Sequence, residues 1–255
     1  ALWFGTQSGI IRRKAERSEW YRLGDSQDVW NYWSFGSCVD GALLAAHSSG
    51  KVYCIRQGQA ELAVDIHQFI RCVFTDRRAR TWIAGLNGLL RMERGAIVQD
   101  PLSDSLAGKE IESLLETRNG RLLISTNKGV YSEAAEGFGK VLFRKGRLDE
   151  MVHAMIEDRE GAIWLATAGG GLMRLKSDTL VGITTAHGLF DDNILDLAED
   201  DFGSLWMTSN LGVFRADMNE LKDCADGKML RVRSISYGTS DGMRSSECNA
   251  GVPGI

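Results

Sequence analysis

Histidines are the side chains in this sequence best suited to acid–base chemistry or metal binding. An imidazole exchanges a proton near neutral pH, and its ring nitrogens are common metal ligands. None of the histidines has an H-x-H, H-x-E or similar spacing, so the local sequence supplies no metal-binding motif. A fold that gathers distant loops would be needed to bring them together. The four histidines are His47, His67, His153 and His187.

The cysteines form no pattern that is typical of a metal site or a disulfide framework. An odd number of scattered thiols, with no C-x-x-C pair, argues against both. We interpret Cys54 and Cys72 as small buried side chains in strands. The chain also lacks a nucleophile elbow, a phosphate-binding loop and a paired-carboxylate motif, so we assign no catalytic residue, metal or cofactor. The five cysteines are Cys38, Cys54, Cys72, Cys224 and Cys248.

Composition excludes some classes of partner. The 255 residues carry a formal net charge of −4 and contain no basic run. The electrostatic attraction that nucleic-acid binding requires is therefore missing. No apolar stretch approaches the roughly 20 residues of a membrane-spanning helix. The 29 glycines and 2 prolines are consistent with many tight turns between paired strands.

A repeat of about 41 residues organises the whole chain. Each copy has a tryptophan or leucine, which we call the anchor, and a glycine six residues later. Such a period, built of short strands, indicates a propeller blade or a similar array, because one blade cannot bury both of its faces alone. The anchors are Trp3, Leu44, Trp82, Trp164, Trp206 and Leu123, and the glycines are Gly9, Gly50, Gly88, Gly129, Gly170 and Gly212.

Each period divides into four short runs, A to D, which predict antiparallel strands joined by hairpins. The predicted fold is an all-β β-propeller of four-stranded blades, forming a single domain over residues 1–255. Because the first copy begins at run B, two arrangements are open: a six-bladed ring closed by residues 248–255, or a fragment of a seven-bladed ring. We expect the chain to be a piece of a longer polypeptide.

Some local predictions concern single elements. Residues 29–34 are predicted to form the A strand of the second copy, and residues 230–237 the D strand of the sixth. Residues 109–117 have helical spacing, but their place in the repeat predicts an A strand. Residues 217–225 are predicted to form a short helix with Asp217 and Glu220 as a capping pair and Gly227 at its end. The repeated tryptophans are expected in the core. The turn residues Asp158 and Asp200 are expected to accept backbone N–H bonds.

A ligand is expected where the loops of several blades meet. In a propeller the B–C and D–A loops gather around one mouth of the central channel, and converging polar groups on a rigid scaffold suit a small polar ligand. An aromatic ring there could stack on a sugar, although core packing is the alternative for it, as ordinary solvated turns are for the polar residues. The candidate binding residues are His47, Asn87, Asn127, Lys128 and Asn210 in B–C loops, His67, Arg147, His187 and Asp191 in D–A loops, and Trp30.

The repeat resembles the regulator-propeller repeat of bacterial two-component sensor proteins. The pattern D-x-x-G-x-(L/I)-W-x-x-T-x-x-G-(L/V)-x-R stands at residues 158–174 and 200–215, and residues 187–200 are similar to that family's linker between blades. Residues 237–249 look like the propeller end that precedes a three-Tyr sandwich domain. The sequence departs from the family at Leu44 and Leu123, which replace tryptophan, and at His187, where aspartate is usual.

The resemblance implies the extracytoplasmic, periplasmic input region of a histidine kinase or diguanylate cyclase in the inner membrane. The chain itself would then be a non-catalytic ligand-binding sensor or dimer-organising module, with signalling domains elsewhere on the parent chain. Its ligand would be small and polar, with saccharides among the candidates, and a homodimer is one expected assembly. Two alternatives stay open: a propeller lyase or hydrolase acting on a saccharide or small polar substrate, and a protein-interaction scaffold.

Overall fold

The computed structural model describes residues 2–6, 8–23, 33–38, 40–246 and 248. In these residues six antiparallel sheets follow one another along the chain, one for each copy of the repeat. Five sheets have four strands and the first has three. Strands pair mainly with their sequence neighbours, as hairpin-joined strands do. The all-β propeller fold with four-stranded blades is thereby confirmed.

The chain divides into two compact units, the first of which contains the first three sheets. The strand order is β1-β2-β3 in its first sheet, β4-β5-β6-β7 in the second and β11-β10-β9-β8 in the third. The strands are β1 Leu2–Thr6, β2 Gly9–Lys14, β3 Arg17–Arg22, β4 Trp33–Ser37, β5 Leu43–His47, β6 Lys51–Arg56, β7 Gln59–Asp65, β8 Ile70–Thr75, β9 Thr81–Gly85, β10 Gly88–Glu93 and β11 Ala96–Val98.

The second unit contains the last two sheets and most of the fourth. In each of these sheets the four strands are neighbours in the order in which they follow along the chain. Two α-helices, α1 Pro101–Asp104 and α2 Met218–Ala225, and two short 3-10 helices, Thr185–His187 and Thr239–Asp241, complete the described elements. The strands are β12 Ile111–Glu116, β13 Leu122–Thr126, β14 Gly129–Ala134, β15 Gly137–Lys140, β16 Val152–Glu157, β17 Ile163–Thr167, β18 Leu172–Lys176, β19 Thr179–Ile183, β20 Asp196–Glu199, β21 Ser204–Ser209, β22 Gly212–Asp217 and β23 Ile235–Tyr237.

A hydrogen-bonded aspartate explains why a tryptophan recurs at the anchor. In the fifth sheet Asp158 Oδ1 accepts the backbone N–H groups of Glu160 at 2.9 Å and Ala162 at 3.0 Å. Its Oδ2 accepts the indole Nε1–H of Trp164 at 2.9 Å. The turn aspartate therefore accepts backbone N–H bonds, as predicted. Its bond to the indole gives the same carboxylate a second role. One buried carboxylate both closes the A–B turn and satisfies the polar edge of the core tryptophan.

The same arrangement recurs in two more sheets. Trp82 Nε1 donates to Asp76 at 3.0 Å, and Trp206 Nε1 donates to Asp200 at 2.7 Å. An arginine on strand C pairs directly across from the anchor in each case, with Trp206 opposite Arg215, for example. We call this set, an aspartate six residues before a tryptophan that faces an arginine, the Asp–Trp–Arg triad. The triads are Asp76–Trp82–Arg91, Asp158–Trp164–Arg174 and Asp200–Trp206–Arg215.

The anchor tryptophans are predicted to lie in the core. Two of them are fully buried, and the other two are only half-buried. Trp82 and Trp164 have no exposed surface. Trp3 and Trp206 are half-buried. Trp206 stacks on Tyr237, with ring centroids 5.5 Å apart. The stripe is therefore a core feature whose burial varies from sheet to sheet.

Two sheets replace every member of the triad together. Where leucine is the anchor, the second sheet has Cys38, Leu44 and Cys54 at the three positions, and Leu44 pairs with Cys54 across the strands. The fourth sheet has Thr117, Leu123 and Ser132, with Leu123 opposite Ser132. The turn itself is unchanged, since Cys38 N still donates to Ala42 O at 2.7 Å. Without an indole N–H to satisfy, the position does not require a carboxylate.

The local predictions are largely confirmed. Residues 111–116 form strand β12 despite their helical spacing, because the blade needs an A strand there. Helix α2 forms as predicted, with Asp217 Oδ1 accepting from Asn219 N and Glu220 N. The capping pair is only half right, however. The Glu220 carboxylate accepts from Arg233 N at 2.9 Å and so serves the chain after the helix.

Other segments differ from the predictions. The D strand of the sixth sheet covers Ile235–Tyr237 alone, and not the predicted 230–237, because residues 226–234 return from helix α2. The predicted A strand at residues 29–34 lies mostly outside the described residues, and β4 covers Trp33–Ser37. Helix α1 was not predicted, although Asp100 caps it at Leu102 N and Pro101 occupies its first turn. The closing segment 249–255 lies outside the described residues.

The turn glycine of the fifth sheet is one residue later than predicted. That turn is longer by one residue, so Gly171, with φ of +77°, takes the place that Gly212 holds in the sixth sheet. A Cβ on Gly171 would lie 2.3 Å from Ile183 O, just as one on Gly212 would lie 2.5 Å from Tyr237 O. Gly170 has no positive φ. The assignment of Gly170 to the repeat was therefore wrong in structural terms.

This close approach predicts a large difference between two neighbouring substitutions. Gly169→Ala keeps a positive φ of +90° in open space, so we expect a loss of about 1–2 kcal/mol from backbone strain alone. Gly171→Ala adds a clash with backbone and should cost at least about 2 kcal/mol more. Chemical denaturation of both variants measures the difference. Equal losses would contradict the close approach.

Candidate functional site

The predicted site residues of the first unit have different surroundings. His47 is 4% exposed, its Nδ1 lies 2.6 Å from Ser49 Oγ, and its ring lies 4.7 Å from that of Trp33. His67 is exposed, with Nδ1 3.2 Å from Asp65 Oδ1. Asn87 Nδ2 donates to Gln68 Oε1 at 3.2 Å. Asn87 thus meets the loop that contains His67, while His47 packs inside its sheet.

The B–C and D–A loops do lie side by side in this unit, as the propeller geometry predicts. Ile66 N donates to Gly50 O at 2.9 Å, and Gly108 N donates to Asn87 O at 3.4 Å. Trp33 is half-buried and packs against the core of the first two sheets, and its Nε1 donates to Thr6 O at 2.9 Å. Trp30 lies outside the described residues.

In the second unit the predicted residues lie on ordered loops. Asn127, Lys128 and Asn210 are exposed tips of B–C turns, and Lys128 N donates to Thr126 Oγ1 at 2.9 Å. Arg147 is exposed and pairs with Asp149. These side chains present donors and acceptors to solvent from fixed turns.

His187 and Asp191 share the D–A loop between β19 and β20. His187 Nδ1 lies 3.1 Å from both Thr184 N and Thr184 Oγ1, so it is held by its own turn. Asp191 Oδ1 accepts from Asn193 N at 3.0 Å. That these two residues and the others bind a ligand stays a prediction.

Asp192 fixes the position of this loop. Its carboxylate accepts from Thr185 N at 2.6 Å and from Thr185 Oγ1 at 2.9 Å. Its backbone carbonyl accepts from Gly169 N at 3.1 Å and Gly171 N at 2.8 Å, in the B–C turn of the fifth sheet. The loop that carries His187 and the neighbouring B–C turn therefore form one rigid surface, which is the kind of support that a binding site needs.

Asp196 is a candidate that the sequence analysis missed. It begins strand β20, directly after this loop, and its carboxylate accepts from Leu197 N at 2.8 Å. Burial raises its pKa above the ordinary value, and the Leu197 bond opposes the shift only in part. Asp196 is half-buried, and a carboxyl group with a raised pKa beside a loop surface is a marker of functional sites. No sequence pattern marks it, because an aspartate at the start of a strand is usually solvated.

Asp196 predicts a pH-dependent stability. The folded state favours the protonated carboxyl group, so the folded state binds more protons than the unfolded state between the unfolded pKa, about 3.9, and the raised folded pKa. Its contribution to stability is therefore present at low pH and is lost as pH rises through the folded pKa. Asp196→Asn should raise the melting temperature at pH 7 more than at pH 4. Asp201→Asn, at a fully exposed turn, is the control for the removal of one surface charge.

Two open grooves lie in the first unit, and none of the predicted site residues lines them. The first, between the second and third sheets, has a volume of about 1030 Å³. Its lining includes Cys38, Leu44 and Cys54, the three positions at which the second sheet departs from the triad. Burial, followed by the neighbouring Cys54 and Asp40, raises the pKa of the Cys38 thiol to about 11, so it is protonated at neutral pH.

The second groove lies between the first and second sheets and has a volume of about 710 Å³. Trp3 and Tyr21 line it with ring centroids 5.6 Å apart. Arg12 and Glu19, paired at 3.2 Å, supply its polar side. Aromatic faces beside a charged pair are able to contact a polar organic ligand.

Two absences complete the description. Among the described residues no group of three or more His, Cys, Asp or Glu side chains is arranged to hold a metal ion. No helix in the described part of the chain combines the length and apolar character needed to cross a membrane.

All five cysteines are free thiols, and Cys54 and Cys72 are buried as predicted.

The molecule is thus an all-β propeller with rigid polar loops, and known proteins with this fold fall into more than one functional class. Its structure is similar to virginiamycin B lyase from Staphylococcus aureus, with 12% identity and a TM-score of 0.70 over 96% of this chain and 83% of that one. It is also similar to the extracellular domain of the putative hybrid two-component system BT3049 from B. thetaiotaomicron. There the identity is 16% and the TM-score 0.54 over 98% of this chain and 47% of that one. These likenesses establish the fold.

Sequence comparison reaches less far. No family model matches the chain. Over 149 residues it is 30% identical to a CinA-like protein of Mycolicibacterium vanbaalenii, covering 53% of this chain and 33% of that protein. The chain therefore spans about a third of the curated relative and about half of the two-component domain that it matches.

Proposed function

We propose that this chain is a ligand-binding sensor propeller in the extracytoplasmic, periplasmic input region of a bacterial signalling protein. The observation that carries the proposal is the construction of its loops. Backbone and carboxylate hydrogen bonds fix them, as around Asp192, while polar tips such as Asn127, Lys128 and Asn210 stay exposed. A rigid surface with free donors and acceptors binds a small polar molecule at low entropic cost.

The likeness to the extracellular domain of a putative two-component system supports the signalling context, because it extends over 98% of this chain. In this proposal the parent chain supplies a three-Tyr sandwich domain and the histidine kinase or diguanylate cyclase that responds to the ligand. The ligand class that we propose is a saccharide or a similar small polar metabolite. The propeller itself then needs no catalytic residue.

A thermal-shift screen tests this function directly. A molecule that binds only the folded state raises the melting temperature, so we would screen mono- and oligosaccharides and polar metabolites, and confirm each hit by calorimetry. The double variant Asn127→Ala/Lys128→Ala should lose the shift caused by a hit. Asp201→Ala, in an A–B turn at the opposite ends of the strands, should keep it. A panel without any stabilising compound would count against a small-ligand sensor and favour the scaffold function.

A propeller enzyme is the second candidate, favoured by the pairing of His67 with Asp65 and by the likeness to a lyase. A histidine beside a carboxylate can act as a general base. The two functions differ in the fate of the ligand. A sensor returns it unchanged, whereas an enzyme converts it in a reaction that His67→Ala slows by about 100-fold or more. Mass spectrometry of each hit after prolonged incubation distinguishes them.

A further inference from the structure

The second sheet leaves open a space that the triad fills elsewhere. In the fifth sheet this space holds the indole of Trp164 and the guanidinium of Arg174, whose Cζ lies 5.9 Å from the ring centroid. In the second sheet the much smaller Leu44 and Cys54 pair at the same positions. Both line the groove of about 1030 Å³ between the second and third sheets, a volume at the upper end of the range for small-molecule sites. The groove therefore includes a space in which the repeat elsewhere places a ring and a cation.

The fourth sheet fills the corresponding space from within. It too has a leucine anchor, Leu123, opposite a small residue, Ser132. There the guanidinium of Arg121, two residues before the anchor, donates to Ser132 Oγ at 3.0 Å. The residue at that position in the second sheet is Ala42, whose side chain is a single methyl group. The second sheet therefore leaves unfilled a space that the fourth sheet closes.

A carboxylate enters the same cross-strand row of the second sheet. In the triad sheets the D-strand residue opposite the arginine is apolar, and these residues are Val98, Val181 and Ile235. In the second sheet it is Glu61, opposite Cys54. Glu61 is exposed and lines the groove. The second sheet thus presents a negative charge at a row in which the triad sheets carry their own cation.

The other charges of the groove are either paired or available to a ligand. Two of its acidic side chains already have an arginine partner, in the pairs Asp40–Arg56 and Glu93–Arg91. Arg56 is 56% exposed in its pair, so it stays at the rim. Arg94, in the C–D turn of the third sheet, is exposed and lines the groove. Within the described part of the chain neither Glu61 nor Arg94 has an ion-pair partner, which leaves one charge of each sign for a ligand.

Apolar side chains line the groove between these charges. Leu44 is 1% exposed and Met92 7% exposed, and Ala63 and Val98 line the same groove. A thioether makes favourable contacts with an aromatic ring, and aliphatic groups bury its faces. An apolar surface for a ring therefore lies in the same groove as one available carboxylate and one available guanidinium.

We propose that this groove binds a free aromatic α-amino acid. The ring packs over Leu44 and Cys54, where the triad sheets place their own indole, while the ammonium group faces Glu61 and the carboxylate faces Arg94. Both polar contacts are charge-assisted and fix the orientation of the ligand. The groove lies at the A–B and C–D turns, so the inference is independent of the ligand proposed for the B–C and D–A loops.

Isothermal titration calorimetry with L-tryptophan and L-phenylalanine tests the proposal, and we expect one site per chain. Tryptamine lacks the carboxylate and indole-3-propionate lacks the ammonium group. Each should bind at least about 10-fold more weakly than L-tryptophan, the loss expected for one charge-assisted hydrogen bond. L-Alanine, which has no ring, should give no binding heat. A parent protein that binds neither aromatic amino acid up to its solubility limit would overturn the proposal.

Two surface variants assign each charge to its partner. Glu61→Gln should weaken L-tryptophan binding by about 10-fold and leave indole-3-propionate unchanged, because that compound has no ammonium group. Arg94→Asn should weaken L-tryptophan by a similar factor and leave tryptamine unchanged, and asparagine tolerates the positive φ of +49° at this position. Glu16→Gln, at an exposed turn of the first sheet, is the matched control and should bind like the parent.

A third variant fills the space from within. Cys38→Asp/Leu44→Trp/Cys54→Arg restores the triad and should abolish binding of L-tryptophan, with its fold checked by circular dichroism. Unchanged binding in this folded variant, or in both Glu61→Gln and Arg94→Asn, would contradict the site. If the restored triad does not fold, the two surface variants still decide, because neither alters the core.

Discussion

Trp164→Ala should lower the free energy of unfolding by about 3–5 kcal/mol, the usual cost of deleting a fully buried aromatic side chain. Trp164 has no exposed surface and packs in a cluster with Ala154, Leu172 and Ile183. The substitution also leaves one carboxylate oxygen of Asp158 without its indole donor. Both effects destabilise the folded state, which puts the expected loss toward the upper end of the range.

Equilibrium unfolding in urea measures this loss, and two variants serve as references. Trp206→Ala should cost less, because Trp206 is half-buried between Tyr237 and the Arg215 guanidinium and is not enclosed by apolar core. Asn127→Ala, at an exposed turn, should change stability by about 0.5 kcal/mol or less. A Trp164→Ala loss as small as that of Asn127→Ala would mean that the anchor tryptophan does not hold the sheet.

The sequence predicted the fold well because the signal repeats. Six anchors at nearly constant spacing outweigh the local helical pattern of residues 109–117, since the repeat assigns those residues to the A position of a four-stranded blade. Single segments were predicted less well. Helix α1 has a readable signal in Asp100 and Pro101, but a one-turn helix in a loop carries no periodicity. The extra residue in the turn before Gly171 could not be predicted. Gly170 stands six residues after Trp164, as the glycines of the other copies stand after their anchors, but the turn closes one residue later, at Gly171.

The candidate site was harder to predict, because it depends on how loops fold back. Nothing in the sequence indicates that N–H groups of the turn at Gly169 donate to the carbonyl of Asp192, or that burial raises the pKa of Asp196. The Asp–Trp–Arg triad, by contrast, could have been read from the sequence. Aspartate stands six residues before Trp82, Trp164 and Trp206, and it is absent before Leu44 and Leu123. The covariation becomes meaningful once the indole bond is known.

That covariation leads to a second large effect. Asp158→Thr copies the residue of the fourth sheet at this position and removes the acceptor of Trp164 Nε1 and of two backbone N–H groups. A threonine hydroxyl can still close the turn, as Thr117 does with Arg121 N at 3.0 Å, but it leaves the buried indole unpaired. Asp158→Thr should therefore cost about 2–4 kcal/mol, the desolvation of an unsatisfied group plus a lost charged hydrogen bond.

The double variant Asp158→Thr/Trp164→Leu should cost about 1–3 kcal/mol less than the sum of its two single variants, because leucine brings no N–H that needs an acceptor. The pair then copies Thr117 and Leu123, which the fourth sheet accommodates with Leu123 1% exposed. The control cycle combines Asp158→Thr with Trp82→Leu, whose own acceptor is Asp76, and it should be additive within about 0.5 kcal/mol. Urea denaturation of the five variants and the parent gives both coupling energies. Additivity in both cycles would show that aspartate and tryptophan recur together without depending on each other, whereas coupling confined to the first would establish that the indole bond selects the aspartate.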